Sequence, residues 1–319
     1  MKALAFALLI LLAQEPASDL ASGIQLFDSA RLDEARAFFE AYAAGHPKSA
    51  AAAFYLGRIH LETKEAEKAV DWLERAVTLD RDNSDLHRWL ARAYAVAAGQ
   101  ANSVAKNSYV RDAKAELDKA VQLNPKNILA REDLVNFYLR TPEFLGGSLE
   151  KARQEVEAMR KVDPVAGRMM LANIHFFQKE PEAAEQEYRK AVEETPADPR
   201  PRMALGLHYQ YQSRWAEAFD VFEGILKVQP EHWAAIYQLG RTGALSGQRL
   251  DRAEECLKRY LGHTPTTDEP PLAGAHYRLG MVLARKGDVA RAREHYQRSL
   301  ELDPGSAEVR EALGRLPAG

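Results

Sequence analysis

Cysteine is nearly absent: Cys256 is the one thiol in 319 residues. That excludes an intramolecular disulfide and any Cys-x-x-Cys metal or redox site, and Cys256 reads as a small buried apolar side chain. No run of alternating β-branched residues is long enough to predict a strand. Phosphate-cradling GxxxxGK, a GxGxxG following a strand, HExxH and GxSxG are all missing. The nine histidines are scattered, with no pair at i, i+4 on one helix. The expectation is a protein without catalytic residues, cofactor or metal. A net charge of −3 lacks the basic excess that phosphate backbones require, so no nucleic-acid partner is expected.

Long apolar runs are also missing, with one short exception at the N-terminus. MKALAFALLILLAQEPAS carries Lys2, an apolar stretch from Ala3 to Ala13, and small residues at Ala13, Ala17 and Ser18. The stretch is too short for the ~20 residues of a membrane span and has the layout of a secretory signal. Residues 1–18 are therefore expected to be a signal peptide cleaved after Ala13 or Ala17, and the protein to be exported, periplasmic or secreted. An uncleaved signal is the only expected membrane link. No cysteine lies near the end of the run, so a lipid attachment there is not expected.

What the chain has in quantity is Ala, Leu, Glu, Arg and Lys, the residues that favour helix. Pro199–Pro230, PRPRMALGLHYQYQSRWAEAFDVFEGILKVQP, reads as two amphipathic helices joined by a tight turn at Ser213–Arg214. Leu205, Gly206 and Tyr209 fall on one face of the first helix; Ala218, Phe222 and Ile225 fall on one face of the second. A step of 34 residues back meets Leu171, Ala184 and Pro196, and the same step forward meets Leu239 and Gly240. A hairpin of this length cannot bury its own apolar face, so its neighbours must stack on it. Small Gly206 and Ala218 mark the helix crossing, where backbones approach to the short end of ~8–10 Å.

This pattern resembles the tetratricopeptide repeat (TPR) family. The resemblance implies an all-α fold, a right-handed α-solenoid superhelix of about eight helix-turn-helix repeats with a C-terminal capping helix. The repeats are expected near 19–47, 50–81, 84–125, 128–164, 165–196, 199–230, 233–265 and 273–304, with the cap at 306–316. The third is stretched by AAGQANSVAKNSYVR, and the fourth by TPEFLGGS at Thr141–Ser148. TPEFLGGS reads as a loop starting the next helix, capped by Ser148; the functional alternative is a ligand dock at that helix N-terminus. TTDEPP, within Thr264–Pro271, is the expected hinge of one continuous solenoid.

The resemblance also implies a groove lined by the first helix of each repeat. Its positions here give Arg58, Arg88, Arg92, Asn136, Asn173, Tyr211, Tyr237, Arg241 and Tyr277, with Arg140, Met169, Phe176, Phe177, Gln210 and Arg285 beside them. Arg58, Arg88 and Arg92 on one wall create a field for an acidic partner. The leading expectation is a non-enzymatic exported scaffold that binds a protein or an extended peptide in this groove. FLGGS followed by EKA is similar to exported bacterial TPR proteins, and faintly resembles TPR components of TRAP transport. The alternative is therefore a solute-transport accessory enclosing a small ligand. A composite enzyme site between repeats stands third.

Overall fold

The computed structural model describes residues 17–317. The expected leader over 1–18 lies outside them, save that Ala17 and Ser18 open the first helix. Among the described residues there are seventeen α-helices and no strand. No described helix is long and apolar enough to cross a membrane. The chain divides into two compact units, one running to Ala184 and the other starting at Glu185.

The first unit holds α1 (Ala17–Asp28), α2 (Leu32–Gly45), α3 (Ala50–Glu62), α4 (Ala66–Leu79), α5 (Ser84–Gln100), α6 (Ser103–Leu123), α7 (Ile128–Arg140), α8 (Leu149–Arg160) and α9 (Pro164–Phe177). The boundary falls inside α10 (Pro181–Glu194). The second unit continues with α11 (Pro199–Tyr211), α12 (Trp215–Val228), α13 (Trp233–Ser246), α14 (Leu250–Leu261), α15 (Leu272–Arg285), α16 (Val289–Leu302) and the cap α17 (Ala307–Gly314). Within each unit consecutive helices pack as antiparallel hairpins, and first helices of adjacent repeats also touch, as α13 does α15. This is an α-solenoid.

Three local devices produce the repeat. A side-chain cap opens most first helices: Ser49, Asn83, Asn127, Asp163 and Asp198 each accept from a backbone N–H one turn in. Pro164 and Pro199 follow two of these caps, where a missing N–H costs nothing. The turn between the paired helices uses one left-handed residue, Ala30, Lys64, Lys179, Ser213 or Gly287. The next N–H then returns to a carbonyl of the last helical turn, for example Arg214 to Tyr209 at 2.9 Å. At the crossing, a Cβ on Gly57, Gly206, Gly240 or Gly280 would stand 2.3–2.5 Å from Leu73, Phe222, Leu257 or Tyr296 of the partner helix. The predicted crossing is thus a filled contact, and any larger residue must displace a core side chain.

The stretched repeats differ. In the third, the extra residues prolong both helices, to 17 in α5 and 21 in α6. In the fourth, TPEFLGGS forms a short 3-10 turn followed by Gly146 at φ +103. Gly147 has no room for a Cβ, which would sit 1.7 Å from the Thr141 carbonyl oxygen. Ser148 caps α8 by accepting from the Lys151 N–H. The loop therefore follows the reading in which it starts a helix, and it leaves Phe144 81% exposed.

Side-chain and backbone hydrogen bonds also run through the segment expected as a hinge. Residues 264–271 are pinned: His263 bonds Glu269 at 2.7 Å, Glu269 accepts from the Thr266 N–H at 2.9 Å, and Tyr260 donates to the Pro270 carbonyl at 2.5 Å. Cys256 is buried, and burial pushes its thiol up to about 11.

Candidate functional site

The expected groove residues fall in two separate settings. In the first unit, α1, α3 and α5 bring an aromatic cluster beneath the arginines. The Arg58 guanidinium lies 4.5 Å from the Phe27 ring centroid and 4.3 Å from that of Trp89. Arg92 approaches Trp89 at 4.5 Å, and Arg88 at 5.4 Å. Each such contact contributes roughly 0.5–2 kcal/mol, according to how dry it is. Arg88 departs from the expected wall. It is 8% exposed and its Nε donates to Asp133 at 2.7 Å, so it is a structural ion pair joining α5 to α7. Arg58 is half-buried and Arg92 exposed.

Asn136 lines a cavity of about 380 Å³ between α5, α6 and α7. Its floor is aliphatic, with Ala91, Ala98, Ala113 and Leu117 buried. Asn173 is half-buried, its Nδ2 3.6 Å from the Met170 sulfur. Phe177 is 52% exposed.

In the second unit the arrangement is polar. Gln210, buried on α11, donates through Nε2 to the Gln238 carbonyl at 3.1 Å and to Thr242 Oγ1 at 2.7 Å. Its Oε1 accepts from Arg241 Nη1 at 2.5 Å. Arg241 is held below the usual guanidinium range, first by burial and then by the positive charge of Arg278. Arg278, on α15, lies over the Tyr277 ring at 4.7 Å and touches the Met281 sulfur at 3.2 Å. Its one nearby carboxylate among the described residues is Glu308, at 3.9 Å. Arg278 Nε is buried with no hydrogen-bond acceptor. Tyr237 and Tyr277 are buried rings; the Tyr277 hydroxyl donates to Glu308 at 2.9 Å, and burial, then that bond, pushes it up to about 12. Tyr211 is 74% exposed.

Arg241 and Tyr277 were foreseeable from their repeat positions; Arg278, one residue past Tyr277, was not. Nor was a histidine pair in the eighth repeat. His276 and His295 face each other across α15 and α16, Nδ1 to Nδ1 at 2.9 Å. Burial lowers both, and the charges of His295 and Arg298 help bring His276 down to about 4. Among the described residues, no group of three or more His, Cys, Asp or Glu could hold a metal ion.

Stacked helical hairpins with side chains presented from first helices define the class of repeat-built interaction proteins. The family model described as tetratricopeptide repeat matches residues 20–85, 146–199 and 203–266, and a second model of the same description matches 273–306. The chain belongs to the tetratricopeptide repeat family, whose members are in general interaction scaffolds that bind proteins or peptides. The matched segments leave out 86–145, the stretch where α5 and α6 are prolonged. No curated protein matches the chain.

Among solved structures, the chain is similar to yeast Tom70, with TM-score 0.67 at 13% identity over 95% of this chain and 63% of that one. It is similar to a chain in the structure of the APC/C hetero-tetramer Cut9–Hcn1, with TM-score 0.50 at 15% identity over 93% of this chain and 54% of that one. A thermophilic TPR protein of Thermus thermophilus gives TM-score 0.50 at 22% identity over 60% and 98%. The chain thus spans less than two thirds of the first two, and at these identities the likeness is one of fold.

Proposed function

We propose that this chain is an exported, non-enzymatic scaffold that holds an acidic stretch of a protein or extended peptide on its first helices. The observation that carries the reading is the Arg241–Arg278 pair. The positive charge of Arg278 acts on half-buried Arg241, and a buried donor such as Arg278 Nε is costly without an acceptor. A carboxylate from a partner adds negative charge beside the two arginines, beyond what Glu308 supplies to Arg278 at 3.9 Å. Tyr211, Tyr237 and Tyr277 hold groove positions of the same unit. Arg58 and Arg92 on Trp89 form a second platform, in the first unit, for planar or acidic groups. Export is supported by Lys2 and the Ala3–Ala13 run.

The test is a fluorescence anisotropy titration with an extended Glu-rich peptide and its Gln-for-Glu counterpart. The acidic peptide should bind, weakening as salt rises, and the Gln version should not. Equal affinity for both would remove the basis of the proposal. A solute-transport accessory is the second reading, favoured by the cavity between α5, α6 and α7. Fractionation of the native host, with the chain found only in the cytosol, would overturn export.

A further inference from the structure

We propose that the cavity of the stretched third repeat is a binding site for an aliphatic carboxylate, a medium-chain fatty acid lying tail inward with its headgroup at Lys106 and Arg140. The inference deepens the small-ligand reading of that cavity and stands apart from peptide binding at Arg241 and Arg278.

The cavity exists because the repeat departs from its period. Prolonged α5 and α6 run beside α7, which has only 13 residues. Apart from Arg92, the α5 residues facing the gap are small, Ala91, Ala95, Ala98 and Gly99, and do not fill it. Two core clusters of the first unit meet here. Leu90, Ala93 and Ala97 of α5 belong to one, and Ala91 belongs to the other with Leu117 and Leu134.

The volume and lining select the ligand. A volume of about 380 Å³ falls within the ~300–1,000 Å³ of small-molecule sites. It equals the space of about a dozen waters at ~30 Å³ each, and a methylene is of similar size. It exceeds any single amino-acid side chain, so the tip of a docking peptide leaves it partly empty. Aliphatic walls offer a polar ligand body no partners and would penalise it by desolvation. Val110 and Phe137 complete those walls.

Charge at the mouth has one sign. Lys106 and Arg140 are exposed lining residues, and neither has an ion-pair partner among the described residues. The one carboxylate of the lining, Asp133, is already held by Arg88 at 2.7 Å. Asn136 and Thr141 add neutral hydrogen-bonding groups. An apolar recess rimmed by unneutralised cations fits an anionic head on an apolar tail better than either a neutral lipid or a small polar anion.

The test is isothermal titration of the full chain with dodecanoate below its micelle concentration, beside dodecanol and butyrate. Gly99→Trp blocks the cavity without crowding the fold, because a Cβ at Gly99 meets no atom within 4 Å. Expected are one saturable site for dodecanoate, at least roughly tenfold weaker binding of dodecanol and of butyrate, and loss of binding in Gly99→Trp at an unchanged melting temperature. Lys106→Glu with Arg140→Glu should weaken dodecanoate and leave dodecanol unaffected. Binding at several equivalents, dodecanol as tight as dodecanoate, or full binding by folded Gly99→Trp would overturn the proposal. An acidic peptide, rather than dodecanoate, responding to Gly99→Trp would also overturn it. Peptide binding is measured on the same preparations, so failure of one reading is visible separately from failure of the other.

Discussion

The two units place arginines at corresponding positions of their first helices and treat them differently. In the first, Arg58 and Arg92 lie against Trp89, while Arg88 is buried on Asp133. In the second, Arg241 donates to the Gln210 carboxamide and feels the positive charge of Arg278. A repeat position therefore fixes where a side chain starts, and its neighbours decide whether the charge is spent on the fold or kept for a ligand. Packing shows the same contrast: Gly206 sits under Phe222 in a filled crossing, while Gly99 faces open space in the stretched repeat.

The largest expected effect comes from breaking the buried pair. Asp133→Ala leaves Arg88 uncompensated in the interior and should cost about 3 kcal/mol or more in urea unfolding of the chain. Arg241→Gln loses one hydrogen bond and relieves repulsion, so its change should stay within about 1 kcal/mol. Equal costs would erase the distinction between a structural and a ligand-facing arginine.

Next is the crossing. Gly206→Leu drives its Cβ to 2.4 Å from Phe222 and should cost about 1–3 kcal/mol. Gly99→Leu, in the last turn of α5, should be neutral or slightly stabilising, since a Cβ there meets no atom within 4 Å and glycine is a poor helix former. Differential scanning calorimetry gives both; equal shifts would mean the repeat register is wrong.

Acid should act on the second unit in two windows. His276 drops to about 4 from 6.5, so the neutral pair's stabilisation is complete above pH 6.5 and is lost as pH falls through 4. Glu185 is raised by burial, but hydrogen bonds from Arg214, Arg189 and Tyr209 outweigh this and bring it to about 2 from 4.5. Its stabilisation is therefore lost lower, between pH 4.5 and 2. Melting temperature against pH should slope downward on acidification from 6.5, and His276→Phe should flatten that upper segment alone. A slope unchanged in His276→Phe would detach the pair from the acid response.

The smallest effect is at the turn. Ser213 has φ +57, and Ser213→Gly should raise stability by less than about 1 kcal/mol, because only glycine enters that region without strain. A loss would show that the Ser213 side chain contributes more than its backbone strain costs.

The hairpins and their crossings were legible because they depend on residues three or four apart and on a repeated period. Leu205, Gly206, Tyr209, Ala218 and Phe222 are all at the buried crossing where the pattern put them. The pairing of Arg88 is invisible in the sequence because its partner, Asp133, is 45 residues away. His276 and His295 escaped notice because they are neighbours across a turn rather than along one helix. The cavity was illegible for a further reason: small residues such as Ala95 and Gly99 signal close packing in one place and unfilled space in another.

The most direct measurement is the affinity for a Glu-rich peptide of three proteins: the parent, Arg241→Gln with Arg278→Gln, and Arg58→Gln with Arg92→Gln. A charge-assisted contact of ~1.5–3 kcal/mol corresponds to roughly tenfold or more in Kd, so the Arg241/Arg278 variant should lose at least that much, and the Arg58/Arg92 variant less. Undiminished binding by the Arg241/Arg278 variant, in a protein with unchanged melting, would contradict the account.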